Sequence, residues 1–357
     1  MRQIVKIAQV APLIESVPPK RYGGTERVVS YLTEELVKQG HEVTLFATED
    51  SITSAQLIAS CPRALRSMGC THSLAWDIIQ MEHVIRCAAD FDIVHFHNDY
   101  LHFPITRRMR TPHVTTLHGR LDLPELPFIY ETFPDVPLVS ISDAQRTPLP
   151  EAQWQATIYH GLPEDWQQTE DLPAEYLLFL GRISPEKGAD RAIQIAIEAE
   201  SPLVMAAKID PVDQAYFEGE IAPMLNHPLI TFIGEVGDTE KRELFKKAEA
   251  LLFPINWPEP FGLVMIEAMA CGVPIIAFRN GSVPEIVEHG KTGFVVANLQ
   301  QAIEAIRTVR LLKRSDCRQA FLDRFTASRM ASEYVREYKR LIHTADGPAE
   351  ENELMKA

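Results

Sequence analysis

Short apolar runs recur along this chain, each followed by a longer amphipathic stretch, and that alternation limits the folds open to it. Candidate strands fall at residues 4–10, 42–47, 93–96, 113–117 and 138–141. A second set falls at 176–180, 202–206, 230–233, 250–253 and 274–277. Helical periodicity lies between many of them. Residues 25–39 place Val28, Val29, Leu32, Leu36 and Val37 near one face, and Gly40 supplies a stop signal. Residues 190–199, 240–248, 263–270 and 299–309 have a similar pattern. Strands alternating with helices imply βαβ units and a parallel sheet. Ten strands are many for one open sheet, and the two sets divide in the middle of 357 residues. The expected fold class is therefore α/β, with two Rossmann-like, doubly wound domains. The connector is expected at 161–173, where two prolines, acids and glutamines interrupt the pattern. The first domain would span 1–165 and the second 166–328, with a last helix at 329–345 and a frayed, acidic tail at 346–357.

Composition removes several functions. Hydrophobic residues make up 46%, enough for ordinary cores. A formal net charge of −14 argues against nucleic acid as a partner, though a small phosphorylated ligand needs only a local basic pocket. Cys61, Cys70, Cys87, Cys271 and Cys317 are odd in number and no two form a C-x-x-C, so neither a zinc site nor a disulfide framework is expected. They read as small, packable residues of a reducing compartment. Lys6 and Gln9 interrupt the first apolar run, which is too short and polar for a signal-peptide core. No stretch approaches the roughly 18 apolar residues of a membrane span. A soluble, cytoplasmic protein is expected, with weak peripheral membrane contact left open.

Parallel sheets bind ligands at the carboxyl ends of their strands. The unusual residues fall there: Gly23 and Gly24 after the first strand, His95 and His97 at the third, and His118-Gly119 at the fourth. Gly181-Arg182 ends the first strand of the second half, and Glu259 follows the strand that ends near Phe253. Two sheets turning such ends toward one another would make a ligand cleft.

Residues 257–274 read WPEPFGLVMIEAMACGVP. Pro258 and Pro260 flank Glu259 and fix the loop. A helix beginning near Gly262 would point its first N–H groups, from Phe261 to Val264, at an anion or a sugar hydroxyl. Glu267 would lie about 7–8 Å further along the axis, so the two carboxylates can touch different parts of one long ligand. The plain alternative makes Glu259 a loop acid and Glu267 a solvated helix residue. Against it, Val264, Met265, Ile266, Ala268, Met269 and Ala270 surround Glu267, and an acid in such company needs a partner.

Residues 181–188 read GRISPEKG, a loop after a buried strand. Arg182 offers a planar fork of donors and Lys187 a mobile point charge, and both can grip one diphosphate. The alternative is a surface salt bridge from this loop to Glu186 or Asp190. Residues 21–26 read RYGGTE, where Gly23 and Gly24 permit close backbone approach to a ligand. Thr25 can equally be a plain N-cap there. No G-x-G-x-x-G follows, so this is not a dinucleotide fingerprint. His95 and His97, two apart on a strand end, put both rings on one side. Only Asp99 adds an acid nearby, so no metal is expected. His118 is the better candidate for substrate contact. Arg107, Arg108 and Arg110 form a small basic cluster whose default reading is a solvated face.

These motifs, in this order, resemble the retaining glycosyltransferases of family 4, which have the GT-B fold. The resemblance runs from IAQVAP at 7–12 to about Tyr338. Its most specific parts are the E-x7-E segment with Pro-Phe-Gly inside it and the Gly-Arg-x4-Lys-Gly loop. GSVPEIV at 281–287 and KTGF at 291–294 are also similar to that family. A Gly281-Ser282 pair stands where a double glycine is common.

The resemblance implies an acceptor-side N-terminal domain and a donor-binding second domain facing it across a cleft, with the last helix crossing back to the first. It implies that Arg182 and Lys187 bind a donor diphosphate, that Glu259 contacts the transferred sugar, and that Phe261, Gly262 and Leu263 hold sugar and phosphate through the backbone. Glu267 would take the ribose hydroxyls, and Glu235 and Val236 would meet the nucleobase. Gly23 and Gly24 would bind the donor, with Gly24 approaching the phosphate or the sugar, and His118 would contact the sugar. Tyr22, His97, Asn98 and Arg146 are acceptor-side candidates. The implied reaction is a retaining, metal-independent transfer of a hexose, glucose from UDP-glucose by family frequency, to a hydroxyl acceptor that no motif identifies. It requires no cofactor beyond the nucleoside-diphosphate sugar as co-substrate. Same-face attack through an oxocarbenium-like state is favoured, because no carboxylate is an obvious nucleophile. The rival readings are a sugar-nucleotide epimerase on the same architecture, a non-catalytic nucleotide-sugar-binding protein, and a glycan phosphorylase, for which no lysine context suggests a pyridoxal phosphate site. The sequence leaves the oligomeric state open.

Overall fold

The computed structural model describes residues 4–166 and 173–346. Two compact units result. The first takes the chain up to Ile141, then Pro148–Tyr159, and the chain from Ala327 on; the second takes Ser142–Thr147 and His160–Thr326. Part of the expected connector, 167–172, and the expected tail from 347 onward lie outside the described residues. Residues 161–166 belong to the second unit. Leu162 N donates to Phe325 O at 2.9 Å. Trp166 is buried, with the Arg242 guanidinium 5.1 Å from its ring centroid.

The first unit holds a seven-stranded parallel sheet. Its strands are β1 (Lys6–Val10), β2 (Glu42–Thr48), β3 (Gln56–Cys61), β4 (Ile93–Phe96), β5 (His113–Thr116), β6 (Leu138–Ser140) and β7 (Trp154–Thr157). Their spatial order is β3-β2-β1-β4-β5-β6-β7. Ile7 pairs with Val43 on one side and Ile93 on the other, so β1 is central. Its side chains from Ile7 to Val10 are all buried, as expected where helices cover both faces. The Gly24–Lys38 helix follows β1, with Gly23 as its N-cap and no side-chain cap bond. Thr25 is therefore inside the helix rather than its cap. The C-terminal helix, Ala327–Asp346, also belongs to this unit. Tyr334 and Tyr338 anchor it and are fully buried.

The second unit holds a six-stranded parallel sheet. Its strands are β8 (Tyr176–Arg182), β9 (Leu203–Lys208), β10 (Ile230–Gly234), β11 (Ala248–Phe253), β12 (Ile275–Phe278) and β13 (Gly293–Val296). The order is β10-β9-β8-β11-β12-β13. Leu177, Phe179, Met205 and Leu252 from the sheet pack with Ala192, Ile193, Ile303 and Ile306 from the Ala189–Glu198 and Leu299–Val309 helices. Both sheets reverse direction of winding beside their first strand. β1 sits between β2 and β4, and β8 between β9 and β11. The carboxyl ends at such a switch point are where an open α/β sheet leaves a crevice. Among the described residues no helix is long and apolar enough to cross a membrane.

Candidate active site

In the second unit, the loop leaving β8 and the loop leaving β11 meet at the switch point. Asn256 N donates to Glu186 O at 2.8 Å, and Arg191 Nη1 donates to Pro254 O at 2.8 Å. Gly188 starts the Ala189–Glu198 helix with φ 71, and a Cβ there would stand 2.2 Å from Pro254 O. Only glycine lets the two loops approach this closely. The approach sets Lys187 Nζ against Glu259 Oε2 as an ion pair. The Trp257 Nε1–H donates to the same carboxylate oxygen at 3.0 Å, and the Lys187 ammonium lies 4.7 Å from the Trp257 ring centroid. Glu259 is thus a buried acid with two donors, not a solvated loop residue.

Arg182, at the end of β8, bonds Glu186 at 2.7 Å and has Asp210 at 3.5 Å and Asp213 at 3.7 Å. The Arg182–Glu186 pair weighed above as a plain alternative is therefore present. The extra carboxylates come from the loop after β9 and keep the guanidinium at the strand end.

The Leu263–Ala270 helix begins at Gly262, whose φ of 78 is left-handed. A Cβ on Gly262 would lie 2.8 Å from Met265 Cε and 3.1 Å from Phe253 Cζ. Phe261 is buried against His160, ring centroids 4.7 Å apart. Its side chain is thus committed to the core, which leaves main chain as the surface this turn offers a ligand. Ser282 ties the turn down, with its N–H on Glu259 O at 2.9 Å and its hydroxyl on Phe261 O at 2.8 Å. Glu267 is buried one turn on, and the Lys241 ammonium holds it at 2.8 Å. Glu235 is exposed and Val236 half-buried, between β10 and the Asp238–Lys247 helix.

In the first unit, Gly23 caps the helix after β1, and Tyr22 is exposed. His97 follows β4, its N–H on Val10 O at 3.0 Å. Its ring bonds Gln9 Oε1 through Nε2 at 2.8 Å and His118 Nε2 through Nδ1 at 2.9 Å. Burial lowers the His118 pKa to about 3, so the ring is neutral near neutral pH. Asn98 donates to Gln80 Oε1 at 3.2 Å, and Gln80 in turn bonds Ala11 O. Among the described residues no group of three or more His, Cys, Asp or Glu could hold a metal ion.

Arg146 was expected on the acceptor side, in the first domain. The structure groups it with the second unit. The reason is local: the N–H groups of Asp143 and Ala144, at the start of the short helix that bears Arg146, donate to the Glu285 carboxylate at 2.8 and 2.7 Å.

Gln9, Trp257, Lys241 and Glu285 carry these arrangements, and the sequence alone assigns none of them a role. The partners of Gln9, Lys241 and Glu285 are remote in the chain, while Trp257 bonds Glu259 two residues on. Only the need of Glu267 for a cation was foreseeable, not which cation would meet it.

Two Rossmann-like parallel sheets, with cation–carboxylate pairs at the second switch point, define a GT-B glycosyltransferase fold. The descriptions of two family models match the chain: "Glycosyltransferase Family 4" over residues 22–149 and "Glycosyl transferases group 1" over 163–322. The chain belongs to the group 1 glycosyltransferases, of the family 4 type. An uncharacterized glycosyltransferase of Methanocaldococcus jannaschii is 24% identical over 335 residues, covering 81% of this chain and 85% of that protein. Further curated relatives match over less than half of their own length. Among solved structures, AviGT4, a glycosyltransferase involved in avilamycin A biosynthesis, aligns with a TM-score of 0.76 and 24% identity over 95% of this chain and 98% of that one. HepE of Anabaena, solved in complex with UDP and glucose, aligns with a TM-score of 0.70 and 18% identity over 94% of this chain and 100% of that one.

Proposed function

We propose that the protein transfers a hexose with retention from a nucleoside-diphosphate sugar, UDP-glucose foremost, to a hydroxyl acceptor, without a metal. The observation that carries the reading is the Lys187–Glu259–Trp257 cluster at the second switch point, with Glu267 buried one helical turn beyond it. In this reading Lys187 and Arg182 bind the donor diphosphate. Glu259 meets the sugar hydroxyls, the turn at Phe261, Gly262 and Leu263 offers its main chain, and Glu267 takes the ribose. Glu235 and Val236 lie by the base. Gly23 and Gly24 are assigned to the donor's phosphate or sugar, His118 to the sugar, and Tyr22, His97 and Asn98 to the acceptor. Arg146 stays a candidate without that side assigned. The HepE complex, a protein of like fold that holds UDP and glucose, supports a uridine donor.

In this reading the departing diphosphate gains stabilisation from Arg182, Lys187 and the helix start, and the acceptor attacks from the same face through an oxocarbenium-like state. The leaving phosphate takes the acceptor's proton. A panel of nucleoside-diphosphate sugars, with and without cell extract, tests it by released nucleotide. UDP-glucose is expected to release UDP, faster with extract. Release from no member of the panel would overturn the donor class. An isomerised sugar with no acceptor present would make the protein an epimerase.

A further inference from the structure

Six hydrogen bonds join seven side chains of the first unit in one line. Tyr334 Oη lies 2.9 Å from Thr116 Oγ1, which lies 2.7 Å from His95 Nε2. His95 Nδ1 lies 2.6 Å from Tyr338 Oη, which accepts from Gln9 Nε2 at 3.0 Å. Gln9 Oε1 lies 2.8 Å from His97 Nε2, and His97 Nδ1 lies 2.9 Å from His118 Nε2. Gln9, His95, His97, Thr116, Tyr334 and Tyr338 are all buried.

With the Gln9 amide turned as it is and the rings neutral, the chemistry of each group gives the sense of donation. An amide nitrogen only donates and an amide oxygen only accepts. Gln9 turns its nitrogen to Tyr338, so the Tyr338 hydroxyl sends its own proton to His95 Nδ1. A neutral His95 then carries its proton on Nε2 and donates to Thr116, whose hydroxyl donates to Tyr334. On the other side Gln9 Oε1 accepts from His97 Nε2. A neutral His97 accepts at Nδ1, so the proton in that bond belongs to His118 Nε2. All six bonds therefore donate in one sense, from His118 to Tyr334. Turning one link over sets two donors or two lone pairs face to face in a buried place, at about 1–3 kcal/mol, unless every link turns with it. Burial holds His95 well below the ordinary histidine range and takes His118 to about 3, which favours the neutral rings the line needs.

We propose that Gln9 and Tyr338 are positioning residues that lock His118 in its Nε2–H tautomer, so that His118 offers the Nδ1 lone pair to a substrate hydroxyl. The C-terminal helix thereby sets the polarity of a side chain at the far end of the line. His118 so held accepts from a hydroxyl at Nδ1 and cannot donate there to a phosphate or carboxylate oxygen. The substrate half of this proposal rests on the sugar contact given to His118 under Proposed function; the tautomer half does not.

The test is a long-range proton–nitrogen correlation spectrum of the whole protein labelled with nitrogen-15 in histidine, at neutral pH. The His118 signal is assigned by its loss in His118→Gln. The Nε2–H pattern is expected in the unaltered protein, and an Nδ1–H pattern overturns the proposal without any variant being needed. Gln9→Met and Tyr338→Phe are expected to bring His118 to a mixture of tautomers and to lower turnover of the nucleotide sugar about tenfold. An unchanged His118 pattern in both overturns the positioning role. A His118→Gln protein that turns over donor at the full rate overturns the sugar contact and leaves the tautomer assignment standing.

Discussion

Lys187 and Glu259 are each only slightly exposed, at 19% and 10% of their side chains, so neither charge is well solvated without the other. Replacing either with alanine is expected to cut turnover roughly a hundredfold or more, as loss of transition-state charge stabilisation does, measured by nucleotide release. Lys241→Ala removes the cation that holds Glu267, and it is expected to raise the donor KM about tenfold with a smaller change in kcat, since a hydrogen bond to a charge contributes about 1.5–3 kcal/mol. The histidines of the first unit give a pH prediction. Burial lowers His113 to about 4 and His118 to about 3, below the ordinary 6.5. A depressed folded pKa means the unfolded chain binds more protons below pH 6.5, so stability falls as pH drops from there toward 4. Urea midpoints at pH 7.5 and 5 should show it as a lower midpoint at pH 5. At this scale the sequence displayed Arg182, Lys187, Glu259 and Glu267, because their spacing is local. It hid Gln9 and Tyr338, whose bond joins residues 329 positions apart.

At the scale of elements, ten strands were readable and three were not. The three are β3, β7 and β13, and each lies at an edge of its sheet. An edge strand is covered less, so its side chains need not be uniformly apolar. All four side chains of β7 are only half-buried, and β3 alternates little before Ser60. β13 is four residues long and starts at Gly293, whose Cβ position would lie 2.1 Å from Ile275 O, a tightness no local pattern announces. Central strands such as β4 and β11 read clearly because both faces are covered. The Ala189–Glu198 helix of the second unit makes a stability prediction. Ile193→Ala removes a buried side chain from between Leu177, Met205 and Ile306, and it should cost about 2–5 kcal/mol by denaturant unfolding. Gly262→Ala should cost about 1–2 kcal/mol from its left-handed φ, with more from the Met265 contact, and should lower turnover by displacing the turn before Leu263.

At the scale of the whole molecule, the chain leaves its first unit at Tyr159 and returns to it at Ala327. Cutting the chain after Thr326 removes Tyr334 and Tyr338 and leaves His95, Thr116 and Gln9 with buried polar atoms that have lost their partners. Such a truncation is expected to lower or abolish the unfolding transition of the first unit. The second unit, whose core lies within His160–Thr326, should keep its own transition, and calorimetry would separate them. The same return of the chain also sets an order of birth. A ribosome that has just finished β7 still has about 180 residues to make before Tyr338 exists, roughly 10–35 s at ordinary rates of synthesis. The unit that begins first is thus completed last. Through that interval His95 and Gln9 wait for the Tyr338 hydroxyl that joins them, and Thr116 waits for Tyr334.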